Sequence, residues 1–265
     1  MNLVFASGFL IPQSLKGLDY FRDVAKQYPG ALFPRVALAG NVELRANQLA
    51  EQIDAAFPQG RIDIVAHSMG GLDARFLLSH NLRGLTERIA TLSTIATPHR
   101  GSPVADLLAG PTPLGPQRLV YEIIKDTMAR QGYAIGGLAN LTTGAAMTFN
   151  QLCPDVPQVT YFAYAGCGPR SYALRAGGWV IERAASTADE RQNDGLVSVA
   201  SAQWPGTHLA EPAWPADHLA EVGYDLDRPG AKPNFDFLAA MIRVVERARS
   251  VTEVGPLQQL AQGAP

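Results

Sequence analysis

One short stretch, RIDIVAHSMGGLDARFLL at residues 61–78, restricts the fold more than any other part of the chain. Its apolar, β-branched run IDIVA is typical of a buried parallel strand. The run after Ser68 has the spacing of an amphipathic helix, with Arg75 off its apolar face. A serine at so tight a strand-to-helix corner needs small residues two positions before and after it, and Ala66 and Gly70 meet that need. Such a pentamer alone occurs in many loops, so the prediction of a nucleophile elbow depends on the strand and the helix around it.

Strand-like and helix-like runs alternate along most of the chain. Strands are expected at residues 3–7, 32–38, 61–66, 88–97 and 159–166, and helices at residues 15–28, 42–57, 71–80 and 234–250. Alternation of this kind is typical of βαβ units. The sequence therefore predicts an α/β fold with a mostly parallel central sheet and helices on both faces.

One segment, residues 110–151, interrupts this alternation. It opens with GPTPLGP and continues with apolar residues at helical spacing, so we expect a helical cap or lid inserted into a single domain that spans residues 1–250. A plain packing helix is the alternative. The Gly-, Pro- and Gln-rich residues 251–265 are expected to form a loosely ordered tail.

Composition excludes several classes of function. The formal net charge is −2 and the pI is near 6.2, which does not favour nucleic acid as a partner. No apolar run reaches the roughly 18 residues of a membrane span. The sequence contains no metal-ligand cluster and no phosphate-binding glycine motif, so neither a metal nor a cofactor is expected. Cys153 and Cys167 are interpreted as two thiols, with a disulfide as the alternative.

The first residues carry no basic segment and no cleavage site, which favours a cytoplasmic protein. A secreted protein whose sequence begins at its mature start is the alternative.

A nucleophilic Ser68 requires a general base, and the order Ser…Asp…His places that base in the C-terminal third of the chain. His208 and His218 both lie there, in the similar contexts WPGTHLAE and WPADHLAEVG. The residue pattern leaves both open. His67, next to the serine, is expected to point off the opposite side of the elbow.

The base in turn requires an acid that orients it. Asp194 in RQNDGLVS ends a charged loop and precedes the strand-like run LVSVAS, and it is favoured. Asp189 lies in a run of charged residues that is typical of a solvated surface. Asp217 adjoins His218 and cannot easily fold back to orient the neighbouring ring.

An oxyanion hole requires two backbone N–H groups, one of them after the nucleophile and one from a loop after an early strand. Met69 follows the serine and supplies the first. In VFASGFLIPQ, Gly8 allows the turn and Phe9 is expected to present the second amide.

Five segments together resemble one family. VFASGFL, AHSMGGLDAR, TIATPHRGSPVADL, NDGLVS and DHLAEVG occur in the order and with the approximate spacing of the bacterial triacylglycerol lipases typified by Pseudomonas and Burkholderia. The resemblance covers residue 3 to about residue 225, and it implies a compact α/β-hydrolase fold. It also implies a triad of Ser68, Asp194 and His218, an oxyanion hole made by the amides of Phe9 and Met69, and a mobile lid at residues 110–150.

Three departures from the family pattern concern its structural features. The residue before Gly8 is usually histidine in the family and is Ser7 here. The family's calcium site has an aspartate two positions after the catalytic histidine, where this chain has Ala220, and a second one about twenty residues before Asp194, where it has none. The second cysteine of the family's disulfide falls near Ala200. We therefore expect no calcium, no such disulfide and no foldase partner.

The resemblance implies a serine carboxylester hydrolase that acts on triacylglycerols or other apolar esters and contacts a lipid surface through the lid. A short-chain carboxylesterase and an acyltransferase on the same scaffold are alternatives. A non-catalytic, hydrolase-like binding protein is a further one, against which the complete set of Ser68, Asp194 and His218 argues.

Overall fold

A computed structural model describes most of the chain. The described residues are 2–8, 14–15, 18–38, 40–114, 118, 121, 122, 125, 137–225, 227, 228 and 231–254.

The strands are β1 (Asn2–Ala6), β2 (Ser14–Leu15), β3 (Leu18–Asp19), β4 (Ile62–His67), β5 (Ile89–Ile95) and β6 (Thr160–Tyr164). The helices are α1 (Val24–Gln27), α2 (Val42–Ala56), α3 (Gly70–Ser79), α4 (Pro103–Ala109), α5 (Thr143–Leu152), α6 (Tyr172–Ala184), α7 (Ala188–Arg191) and α8 (Phe237–Val254). Four strands pair in parallel in the order β1-β4-β5-β6, and β2 and β3 form a small antiparallel pair.

The parallel sheet has helices packed on both faces, as the sequence predicts. Along β1, Leu3 and Phe5 belong to a core that includes α8, whereas Val4 and Ala6 belong to a second core that includes α2 and α3. Successive side chains of a strand point to opposite faces, so each strand contributes to both cores. All six residues of β4 are buried, including the polar Asp63, whose Oδ1 accepts from the hydroxyl of Thr91 at 2.7 Å.

The helix predicted at residues 15–28 is wrong. The segment forms the β2–β3 pair and then only the single turn α1. Asp23 has φ of 62°, in the left-handed region, which no α-helix passes through. Tyr20 is buried with its hydroxyl 2.7 Å from Nδ1 of His67, so a contact distant in sequence decides the conformation here.

The strand predicted at residues 32–38 is wrong beyond its first residue. Leu32 pairs with β1, because its N–H donates to the carbonyl of Leu3 and its carbonyl accepts from the N–H of Phe5, both at 2.8 Å. Pro34 follows two residues later and has no N–H with which to continue a ladder.

The C-terminal part of the predicted lid segment packs on the domain. In the 3₁₀ turn Leu138–Leu141, Leu138 and Leu141 lie in one cluster with Met69 and Leu72 of the elbow region. Helix α5 follows. Most of residues 115–136 lie outside the described residues, so the lid stays a prediction.

Two smaller expectations concern the C-terminal tail and the cysteines. Helix α8 continues to Val254, so residues 251–254 are helical; residues 255–265 lie outside the described residues, and for them the loose tail stays a prediction. Cys153 and Cys167 are free thiols, which confirms their interpretation. Among the described residues, no helix has the length and apolar character that a membrane span requires.

Two leucines on α2 provide a test of which helix face carries the packing. Leu49 is 1% exposed and Leu44 is 48% exposed. Leu49→Ala should lower the free energy of unfolding by about 2–5 kcal/mol, because it leaves a cavity between α2 and the sheet. Leu44→Ala makes the same chemical change on the exposed face and should cost less than about 1 kcal/mol. Urea unfolding measures both values, and equal costs would contradict the packing described here.

Candidate active site

Ser68 occupies a strained position between β4 and α3. Its φ is 55°, in the left-handed region that residues other than glycine rarely adopt. Its N–H donates to the carbonyl of Ile95 at 2.9 Å, and its carbonyl accepts from the hydroxyl of Thr97 at 2.7 Å. The end of β5 therefore holds both backbone groups of the serine.

The start of α3 is close to the end of β1. A Cβ at Gly70 would lie 2.7 Å from the carbonyl oxygens of Ala6 and Ser7. A side chain at this position would force the loop after β1 away from the serine. The small residue that the sequence pattern requires here is thus a consequence of close packing between two backbones.

His218 lies between Ser68 and Asp194. Its Nε2 is 3.0 Å from Oγ of Ser68, and its Nδ1 is 2.7 Å from Oδ2 of Asp194. All three residues are buried. With the proton on Nδ1, the ring donates to the carboxylate and leaves Nε2 free to accept the serine proton. The three side chains selected from the sequence are therefore connected by hydrogen bonds in the order that nucleophilic catalysis requires.

Asp194 lies in a tight turn instead of before a strand. Its Oδ1 accepts from the N–H groups of Leu196 and Val197 at 2.8 and 2.7 Å, and the residues after it form turns. The strand-like interpretation of LVSVAS was wrong, because the carboxylate closes a local turn that competes with extended structure. The carbonyl of Asp194 also accepts from the N–H of His218 at 3.0 Å.

The competing candidates lie elsewhere. His208 lies beside β6, where its neighbour Leu209 pairs with Ala163. Asp189 is exposed in α7. Asp217 is buried next to His218, but its carboxylate accepts from backbone N–H groups.

The predicted oxyanion hole is only partly described. Met69 caps the N-terminus of α3, so its amide comes directly after the serine. Phe9 lies outside the described residues, so its predicted role stays untested. Gly8 is buried so closely that a Cβ there would lie 2.6 Å from both Cβ of Ser68 and the hydroxyl of Tyr20.

A buried arginine that the sequence analysis missed holds the loop after β1. One terminal nitrogen of Arg45 donates to the carbonyls of Ser7 and Gly8 at 2.8 and 3.1 Å and lies 2.8 Å from Oδ2 of Asp73 on α3. Burial raises the pKa of Asp73 to about 6, against the opposite effect of Arg45. Arg45 lies on the apolar face of α2, beside Ala46 and Leu49. A charged residue in that position is the sequence feature from which a buried ion pair could have been predicted.

Tyr20, His67 and Glu221 form a second hydrogen-bonded group, which lies beside the group of Ser68, His218 and Asp194. Nδ1 of His67 is 2.7 Å from the hydroxyl of Tyr20, Nε2 is 3.0 Å from Oε2 of Glu221, and its ring centroid is 4.6 Å from that of His218. The expected direction of His67 was wrong, because the two-residue period of β4 places it on the same face as Val65, together with Tyr20.

Burial sets the charge of this second group. It raises the pKa of Glu221 well above its ordinary value, and the nearby Asp194 and Asp217 add to the effect. It lowers the pKa of His67, with His218 adding. A neutral carboxylic acid that donates to a neutral imidazole satisfies both directions.

Arg75, expected off the apolar face of α3, is buried. It donates to Oδ1 of Asn150 at 2.8 Å and to the carbonyl of Cys153 at 3.0 Å, and it lies over the ring of Trp204 at 4.9 Å. The guanidinium therefore anchors the elbow helix to the end of α5.

The residues around His218 do not fit the calcium site that the family resemblance implies. Position 220 is alanine, and its N–H donates to Oδ1 of Asp217 at 2.9 Å. Asp194 and Asp217 accept hydrogen bonds at both of their oxygens, and Oε2 of Glu221 bonds to a histidine. A hard cation needs six to eight oxygen ligands. The absence of calcium stays a prediction.

One group of described side chains has metal-ligand atoms close together. Those of His67, His218 and Glu221 lie within 4.8 Å of one another. Hydrogen bonds among these residues and to Ser68 already occupy the atoms, so we assign no metal to the group.

Comparisons of sequence find two kinds of similarity. A model of the PGAP1-like alpha/beta domain matches residues 42–108. Triacylglycerol lipase 2 of Saccharomyces cerevisiae is 33% identical in an alignment of 176 residues that covers 62% of this chain and 49% of the yeast protein. A triacylglycerol lipase of Vibrio cholerae is 26% identical in an alignment of 245 residues that covers 79% of this chain and 74% of that protein. The chain thus spans about half the length of the yeast relative.

Comparison of structures finds a fold shared over nearly the whole chain. A crystal structure of Staphylococcus hyicus lipase superposes with a TM-score of 0.66, covers 96% of each chain and is 16% identical in sequence. At this identity the likeness concerns the fold alone.

Glu221→Gln tests the charge state of the second group. The pKa of Glu221 in the folded protein lies above the ordinary 4.5, so the folded state keeps the proton longer. The contribution of this group to stability is therefore greatest below pH 4.5 and falls as the pH rises toward the folded pKa. Glutamine donates the same hydrogen bond but has no proton to lose, so the variant should gain stability relative to the wild type as the pH rises, by up to about 1.4 kcal/mol per pH unit.

Urea unfolding over a series of pH values measures this difference. Glu51→Gln, at an exposed position on α2, controls for the loss of one carboxylate. A constant difference between Glu221→Gln and the wild type at every pH would show that folding does not raise the pKa of Glu221.

Proposed function

We propose that this chain, an α/β hydrolase with triacylglycerol lipases among its relatives, is a serine carboxylester hydrolase. The observation that carries the proposal is the connected hydrogen-bond chain of Ser68, His218 and Asp194, at 3.0 and 2.7 Å, on a serine with left-handed backbone at a strand-to-helix corner. Each partner has the chemistry that its position requires.

The reaction proceeds through an acyl-enzyme. Oγ of Ser68 attacks the ester carbonyl while Nε2 of His218 takes its proton, and Asp194 stabilises the resulting imidazolium. The amides of Met69 and Phe9 hold the negative oxygen, and each donor contributes about 3 kcal/mol to lowering the barrier. His218 then protonates the leaving alcohol, and a water activated by the same ring releases the acid and restores Ser68.

We propose triacylglycerols or other apolar esters as substrates, with residues 110–151 as a lid that contacts the lipid surface. The printed names of the yeast and Vibrio relatives support the substrate class. Within the segment, Leu114 and Met147 are 86% and 69% exposed, and exposed large apolar side chains favour contact with a lipid surface. The finer assignment to the Pseudomonas and Burkholderia type is supported by the five sequence segments. The reaction needs neither a metal nor another cofactor.

Ser68→Ala should reduce ester hydrolysis by at least about 10⁴-fold, because the nucleophile is lost while the fold is kept. The assay compares wild type and variant on p-nitrophenyl esters from acetate to palmitate and on emulsified tributyrin and triolein, with and without EDTA. Activity on long chains that needs Ser68 and ignores EDTA is the expected result.

Three other outcomes would change the proposal. Activity restricted to short esters would make the protein a carboxylesterase, and loss of activity in EDTA would restore a metal requirement. Hydrolysis that survives Ser68→Ala would remove the mechanism.

Gly8→Ala tests the loop that carries the predicted oxyanion amide. The added Cβ would displace this loop from Ser68, so kcat should fall on the order of 10²–10³-fold, the effect of one lost oxyanion donor. Gly30→Ala is the matched control, because a Cβ at Gly30 meets no atom within 4 Å. Kinetics and thermal unfolding of both variants separate lost catalysis from lost fold. Unchanged kcat in Gly8→Ala would argue against this loop as the second donor.

A further inference from the structure

Two chain segments run side by side next to the catalytic histidine. After β6, the N–H of Cys167 donates to the carbonyl of Trp214 at 2.7 Å, and the N–H of Trp214 donates to the carbonyl of Ala165 at 2.8 Å. We call residues 165–171 and 214–220 together the junction. Gly168 packs directly on the backbone of Pro215 and Ala216, which leaves no space for a side chain. The junction thus brings the start of α6 to the residue before His218.

The carboxylate of Asp217 connects the two segments. Its Oδ2 accepts from the N–H of Ser171 at 2.8 Å, and its Oδ1 accepts from the N–H groups of Leu219 and Ala220 at 3.2 and 2.9 Å. The side chain is 5% exposed, and three backbone donors satisfy it. One oxygen closes a turn around His218, and the other attaches that turn to the first residues of α6.

The residue before Ser171 makes the corresponding contact on the other catalytic loop. Arg170 donates to Oδ1 of Asn193 at 2.8 Å, and its guanidinium lies 2.7 Å from Oε1 of Glu182. Asn193 directly precedes Asp194. The consecutive residues Arg170 and Ser171 therefore bond to the residues that directly precede Asp194 and His218.

These contacts lie in the region to which the family resemblance assigns calcium. Ala220 replaces one expected ligand, and its N–H is one of the donors to Asp217. The second ligand position, about twenty residues before Asp194, falls at the first turns of α6, where Ser171 supplies another donor. In the family, calcium is expected to connect these two segments through oxygen ligands. Here the carboxylate of Asp217 connects them through backbone N–H donors.

We propose that Asp217 is a positioning residue that holds His218 between Ser68 and Asp194 without a metal ion. It acts through the backbone on either side of the histidine and does not touch the substrate. The proposal rests on the proposed function for its kinetic consequence only, because the position of the His218 ring is measurable without any substrate.

Asp217→Ala removes all three acceptor contacts. A catalytic group misplaced by about 1 Å costs on the order of 10²-fold in rate, so we expect kcat to fall about 10- to 100-fold while KM stays within about twofold. The far-downfield Nδ1–H resonance of His218, assigned by its absence in His218→Gln, should broaden or shift because the ring no longer faces Asp194 in one position.

Two further variants separate positioning from general stability. Asp217→Asn keeps one acceptor for the turn at Leu219 and Ala220 but turns a donor toward the N–H of Ser171, so it should fall between Asp217→Ala and the wild type. Asp227→Ala is the matched control: Oδ1 of Asp227 accepts from the N–H of Tyr172 at 2.7 Å, at the same end of α6, but Asp227 does not adjoin a catalytic residue. It should keep wild-type kcat and the wild-type ring resonance.

All variants are measured as the full chain, by kinetics on p-nitrophenyl butyrate with EDTA or added calcium, by NMR and by thermal unfolding. An unchanged kcat and ring resonance in both Asp217 variants would overturn the proposal, and so would equal losses in Asp217→Ala and Asp227→Ala. If EDTA abolishes the wild-type activity and calcium restores it, the claim that His218 is held without a metal ion is overturned. If Asp217→Ala does not fold, Asp217→Asn decides. If the wild type hydrolyses no ester but the resonance responds as expected, the proposed function fails and the positioning role stands.

Discussion

The backbone of Ser68 is held in the left-handed region by contacts from three strands. Such a conformation costs of order 1–3 kcal/mol and persists only where the surroundings over-determine it. Here β4 leads into the serine, the end of β5 bonds both of its backbone groups, and the end of β1 packs against Gly70. The two cores on either side of the sheet keep these strand ends in register. The position of the Ser68 hydroxyl therefore depends on the packing of β1, β4 and β5 together.

Three buried carboxyl side chains lie close to His218, and each has a different set of hydrogen-bond partners. One oxygen of Asp194 accepts from two backbone N–H groups, and the other lies at hydrogen-bond distance from the imidazole of His218. Asp217 accepts backbone donors only. Oε2 of Glu221 is 3.9 Å from Nδ1 of His218, Oε1 has no hydrogen-bond partner among the described residues, and burial raises the pKa of this carboxyl. Of the three, only Asp194 lies at hydrogen-bond distance from the imidazole, with Oδ2 2.7 Å from Nδ1 of His218.

Local patterns predicted the elements whose own residues decide their conformation. The buried strand β4, the helix α2 and the helix α8 follow their apolar periodicity closely. Residues 15–28 and 32–38 do not, because a left-handed residue and a proline interrupt patterns that are otherwise periodic. Arg75 was expected off the apolar face of its helix, and the sequence indicated no role for Arg45, since only tertiary structure supplies the carbonyls and carboxylates that satisfy a buried guanidinium.

The sequence alone determined the chemistry of the site and its chain order. A serine between small residues, a later aspartate at the end of a charged loop and two later candidate histidines are local features, and each could be located without any coordinates. Tertiary structure decided which distant residues meet. His208 and His218 have similar neighbours in sequence, yet only His218 reaches Oγ of Ser68, 150 positions away. The alternation of side chains along β4 likewise placed His67 beside His218, and loop packing brought the N–H of Ser171 to the carboxylate of Asp217. These outcomes depend on contacts between segments far apart in the chain, and local residue patterns contain no record of such distances.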